Sequence, residues 1–310
     1  MHIAYHIGAH STDDDLLLTS LRANTPMLER NGVIVPAGEV YRPILRETVR
    51  RLQGAHSDRD AEEAVLEAIL DGKDGHRLVM ASENFICTQQ KIFEDASFYG
   101  KMGQKAVWLR NVFPHHPVSF HIGLRSPASF LPAIFARRQN ISFDAFLAEI
   151  DFDSLSWHDV IERLRFAVPD AEITVWCNED TPLIWPEVMT SLAGVAENAS
   201  LHKRHARLRE VLTPDGFEQF TAYLESHPTI TVAQRRWAAV NFLDRFGQED
   251  EMAESYDLPD WTQERIDGLD AAYEKDLERI ATLPDVQVLT AGGTIQTNGP
   301  AEDTASVGFA

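Results

Sequence analysis

Cysteine is nearly missing from this chain: 310 residues contain two, Cys87 and Cys177. They suit a reduced, cytoplasmic setting better than a disulfide framework, and each reads as a small core residue. Long apolar runs are also missing. No stretch approaches the roughly 20 apolar residues needed to cross a bilayer, and no basic region followed by a long apolar run opens the chain, so no signal peptide is expected. Positive charge is short: 28 basic against 48 acidic residues give a net charge of −20. That deficit argues against nucleic acid or an anionic membrane surface as a partner, because phosphate binding needs a basic face. A local basic pocket inside an acidic protein stays open.

What remains is an ordinary globular composition, 44% hydrophobic and 25% charged, long enough for a large core. His2–Gly8 reads as a short central strand and Asp14–Arg30 as a helix, stopped by Asn31-Gly32. Val33–Val35 is a short extended piece before Pro36. The pattern predicts helices over 57–70, 101–113, from Phe130 to Arg138 and over 157–166, and strands over 77–82, 117–124 and 172–176. Strands alternating with helices predict an α/β fold with a mainly parallel sheet covered on both faces. From about residue 183 helical segments dominate, over 187–192, 201–212, 216–226, 232–246 and 263–283. They read as a helical region on the same domain, which spans 1–290. Residues 291–310 lack apolar periodicity and read as a flexible tail.

In an open parallel sheet, ligands bind beyond the carboxyl ends of the strands. That rule nominates Gly8–Asp15, Ser82-Glu83-Asn84, Arg125-Ser126-Pro127 and Trp176–Glu179, which should meet on one rim. His6-Ile7-Gly8-Ala9-His10 with Thr12 and a following helix, then Leu28–Pro36, resembles the opening of bacterial sulfotransferases, whose turn reads roughly H-I-G-x-H-K-T-G-T-T. Ala81–Phe85 is similar to a serine–glutamate strand end of that family, Ile122–Pro127 resembles its 3′-phosphate-binding motif, and Asn198–Leu201 resembles a later segment. The resemblance implies a P-loop-type α/β fold, 3′-phosphoadenosine-5′-phosphosulfate as sulfuryl donor, and a carbohydrate or small hydroxyl compound as acceptor. It places the donor on Gly8, Ala9, Ser11, Thr12 and Arg125. It also implies a histidine or glutamate base on the acceptor hydroxyl. Glu83 at its strand end and His10 in the turn are the candidates.

The departures are as informative as the matches. Ser11 stands where the family has its lysine, and Asp13, Asp14 and Asp15 replace a glycine and the hydroxyl residues. A carboxylate about 4 Å from a bound anion repels it by roughly 4 kcal/mol at an effective dielectric of 20. Aspartates also suit a first helical turn, where they accept free N–H groups; that bland reading competes with any functional one. No metal is expected on them. The serine the family carries about seven or eight residues after its arginine is Pro132 or Ala133 here; Ser129, one turn earlier, is a partial substitute. The expectation is weak or absent donor binding: a non-catalytic binding protein, or an enzyme of changed mechanism. The alternatives are an active sulfotransferase and a protein-interaction scaffold built on the helical half. Lys203, Arg204, His205, Arg207 and Arg209 read as a solvated basic face pairing with the acidic surface, with contact to an anionic ligand as the alternative.

Overall fold

The computed structural model describes residues 1–248 and 258–296. Strand β1 (His2–His6) is followed by helices α1 (Leu16–Arg22) and α2 (Thr25–Arg30), strand β2 (Val33–Ile34), α3 (Gly38–Leu52), α4 (Arg59–Leu70) and β3 (Arg77–Ala81). Then come α5 (Met102–Arg110), β4 (Val118–Leu124), α6 (Pro127–Ala136), α7 (Phe143–Leu147), α8 (Trp157–Ala167) and β5 (Glu172–Cys177). The helical part is α9 (Thr181–Ala193), α10 (Ala206–Val211), α11 (Pro214–Ser226), α12 (Val232–Phe246) and α13 (Gln263–Ile280). Strands β6 (Val286–Thr290) and β7 (Gly293–Gln296) close the described chain. The sheet order is β2-β3-β1-β4-β5-β6-β7, and every pairing is parallel except β6 with β7. The carboxyl ends of β1, β3, β4 and β5 therefore share one edge.

Side chains alternate between the faces of a strand. One face carries Ile3, Tyr5, Leu78, Met80, Phe120, Ile122, Ile173 and Val175, all buried. Tyr5 stacks on Phe120 at 5.6 Å, and its hydroxyl reaches the Leu109 carbonyl of α5 at 3.4 Å. The other face carries Arg77, His2, His6, Ser119, His121, Thr174 and Trp176, under α9. Arg77 Nε donates to the Leu192 carbonyl of α9 at 3.0 Å. Ser119 Oγ lies 2.9 Å from His2 Nε2 and 3.2 Å from His121 Nε2. Burial lowers the pKa of His6 and takes that of His121 well below its usual value, so both imidazoles are neutral.

Several elements differ from the sequence reading. The helix expected over 14–30 is two helices: the Asn24 amide turns back to the Ser20 carbonyl at 2.8 Å and out to the His202 carbonyl at 3.0 Å, and Pro26 starts the second helix. Residues 38–52, left unassigned, form α3 with Pro43 inside it. Residues 202–205 are turn, so α10 is shorter than expected. The tail expected from residue 291 begins with β7; residues 297–310 lie outside the described residues. Helices α10 to α12 hold a separate small core of Leu208, Leu212, Phe220, Ala238 and Ala239. The buried Arg235–Glu187 pair ties α12 to α9. No helix among the described residues is long and apolar enough to cross a membrane.

Candidate functional site

The loop after β1 keeps the strand's course briefly before it turns. Ile7 N–H donates to the His121 carbonyl and Ala9 N–H to that of Gly123, both at 2.9 Å. Gly8 sits at φ +112°, where an L side chain is strained, and a Cβ there would lie 3.3 Å from His10 N. On β4, a Cβ at Gly123 would meet the Trp176 indole at 2.9 Å. Both glycines let the loop lie close against its neighbours.

His10 points inward. Its backbone N–H donates to the Tyr99 hydroxyl at 3.1 Å, and Nδ1 lies 2.7 Å from the same oxygen. An oxygen that accepts from the backbone donates its own proton to Nδ1, which leaves the ring proton on Nε2. Nε2 is buried. Burial lowers His10 to about 4, so the ring is neutral at pH 7. Tyr99 belongs to an aromatic cluster with Phe98, Phe130 and Trp157, and Trp157 Nε1 donates to the Arg125 carbonyl at 2.8 Å. His10 is thus held as a support of the loop, with its ring turned from solvent.

The next residues meet the chain's own charges. Ser11 N–H points to Glu83 Oε2 at 3.4 Å, while Ser11 Oγ is buried without a partner. Thr12 Oγ1 donates back to the Ala9 carbonyl at 2.7 Å. Asp13 caps α1: Oδ2 accepts from Leu17 N–H at 2.9 Å and the carbonyl from Leu16 N–H at 2.7 Å. Asp14 pairs with Arg137, whose Nη1 also lies 3.6 Å from Glu83. Asp15 takes both terminal nitrogens of Arg42, one of them at 2.8 Å. Burial raises the Glu83 pKa, and Arg137 offsets part of that rise.

Two further arginines reach the loop from outside it. Arg125 Nη1 donates to the Ser11 carbonyl and Nε to Ser129 Oγ at 3.0 Å. Ser129 Oγ is thus a partner of Arg125. Arg207 Nη2 donates to the Thr12 carbonyl at 2.8 Å and to Asn178 Oδ1 at 3.2 Å. Asp14, Asp15 and Glu83 pair with two guanidiniums, Arg42 and Arg137, while Arg125 and Arg207 hold carbonyls of the loop. The four segments nominated from the sequence do converge on one edge. Three of the arginines were not foreseen: Arg42 and Arg137 carry no motif, and Arg207 read as part of a solvated face.

Beside this loop a cleft of about 950 Å³ opens beyond β4 and β5. Arg125, Ser126, Ser129, Asn178, Glu179, Arg207 and Asp270 contribute its polar lining, and Leu183, Val211, Leu243 and Ile266 an apolar wall. Ser126 caps α6 and gathers two carboxylates: its N–H donates to Glu179 Oε1 at 2.8 Å, and its hydroxyl donates to Asp270. Tyr273 donates to Glu179 Oε2 at 3.2 Å. Burial raises the Glu179 pKa. The two cysteines take no part as nucleophiles at neutral pH, since burial pushes each thiol up to about 12. No family model, curated protein or solved structure matches this chain.

Proposed function

We propose that this chain is a sulfotransferase-like protein in which binding of the phosphosulfate donor is lost or strongly weakened, and that it works as a non-catalytic binding protein. One observation supports the reading above the others. Two N–H groups at the turn and the helix start have carboxylate acceptors within the chain: Ser11 faces Glu83, and Leu17 faces Asp13. An incoming dianion would have to displace Glu83 and would meet Asp14 beside it, against repulsion of several kcal/mol at contact.

A second reading, an active sulfotransferase acting on a carbohydrate or small hydroxyl acceptor, is favoured by the four guanidiniums around the loop. In it Glu83 leaves Ser11 N–H, Arg137 and Arg125 take the donor's phosphates, and Glu83 takes the proton of the acceptor hydroxyl. Titration calorimetry with adenosine 3′,5′-bisphosphate separates the two. The first reading expects no saturation at micromolar ligand; saturation there favours the second.

A further inference from the structure

The cleft beyond β4 and β5 differs from the loop beside it in how its charges are matched. At the loop, Asp14, Asp15 and Glu83 each have a guanidinium within 4 Å. On the cleft's own rim Glu210 pairs with Arg207 at 2.8 Å. Glu179 and Asp270 are the exceptions. Each faces the cavity and each is anchored on Ser126, yet neither has an ion-pair partner among the described residues. Glu179 receives two neutral donors, Ser126 N–H and Tyr273 O–H. A carboxylate has about four lone-pair sites, so both groups keep acceptor capacity toward the cavity. Arg125 is near enough to favour the charged form of Glu179, and its guanidinium also donates to Ser11 and Ser129.

From these contacts we infer that the cleft is a binding site for a small organic amine, with its ammonium held between Glu179 and Asp270 and its hydrocarbon part against Leu183, Val211, Leu243 and Ile266. The cavity has the size of small-molecule sites, and it has their usual make-up of an apolar wall with a few convergent polar groups. An ammonium supplies up to three donors, matching two carboxylates that have room for more. The net charge of −20 adds a field that concentrates cations at such a cleft. The inference is independent of whether the β1 loop binds a donor nucleotide.

The test uses matched probes on the full chain. Tyramine and tyrosol differ only in carrying an ammonium or a hydroxyl; spermidine adds a purely aliphatic amine. By titration calorimetry at pH 7.5, tyramine or spermidine should saturate, and tyrosol should bind at least tenfold more weakly than tyramine. Glu179→Gln and Asp270→Asn each keep an oxygen for Ser126 while removing the charge, and each should weaken amine binding about tenfold or more. Asp244→Asn, on the exposed side of α12, should leave it unchanged. Retained melting temperature in the two cleft variants establishes that they fold. Equal binding of tyramine and tyrosol, no binding of either amine, or unchanged affinity in both cleft variants would overturn the inference. None of these results depends on adenosine 3′,5′-bisphosphate.

Discussion

The β1 loop and the neighbouring cleft lie on one sheet edge and share Arg125 and Arg207, but they are finished in opposite ways. In the loop the N–H groups of residues 7, 9, 10, 11, 16 and 17 all point at acceptors within the chain. Three carboxylates there pair with the guanidiniums of Arg42 and Arg137. The cleft leaves about 950 Å³ open, and Glu179 and Asp270 have no ion-pair partner there among the described residues. The difference teaches that residue type alone does not name a ligand. Acid in the loop serves as internal closure, whereas acid in the cleft is directed at open space.

If the loop is sealed in this way, its supports should be costly to disturb and its outer pairs should not. Tyr99→Phe has the largest expected effect. It leaves the buried His10 N–H and Nδ1 without their shared partner, at a cost of about 2–4 kcal/mol in urea unfolding. A change under 0.5 kcal/mol would mean that the loop does not lean on Tyr99. Acid comes next. His6, His10 and His121 are held neutral by burial, so the unfolded chain takes up protons below its ordinary value of about 6.5 and the native state does not. Their stabilisation is complete above that pH and is lost as pH falls below it. For His10 alone the loss is about 2 kcal/mol by pH 5. Glu83 and Glu179 have raised values, stabilise most at low pH, and offset part of the loss at its acid end. Thermal melts at pH 7.5 and pH 5 should show the drop, and a smaller drop in His10→Gln. A flat profile would mean that water reaches the imidazoles. Asp15→Ala has the smallest expected effect, under about 1 kcal/mol, because the Asp15–Arg42 pair is half exposed. A cost of several kcal/mol would make that outer pair a structural support.

Much of the fold was legible because its signals are local. Strand β4 and helices α4, α8 and α12 follow from apolar spacing within a few residues of the expected limits. Strand β1 was readable only as a short apolar piece, since its polar face is buried: His2 and His6 lie under α9 where alternation would put polar groups in water. Helix α3 was hidden by Pro43. Strands β6 and β7 lay in a stretch whose Gly, Thr and Gln obscured the pattern. At the site, each nominated turn was correctly placed because strand ends determine it. The side chains that complete the site come from far along the chain: Arg207 is 195 residues from Thr12, and Asp270 is 144 from Ser126. Pairings of that span leave no trace in local spacing. Of the three aspartates, Asp13 does what the capping reading expected, while Asp14 and Asp15 depend on arginines that no motif announces.

The central claim is that the chain's own carboxylates close the loop against a phosphate. Its most direct test is titration calorimetry of the full chain and of Glu83→Gln with adenosine 3′,5′-bisphosphate. Glu83→Gln removes the charge facing Ser11 N–H and releases one contact of Arg137. The account predicts no saturation at micromolar ligand for the native chain, and at least a tenfold gain in affinity for Glu83→Gln. Micromolar saturation of the native chain, or no gain on removing Glu83, would contradict it.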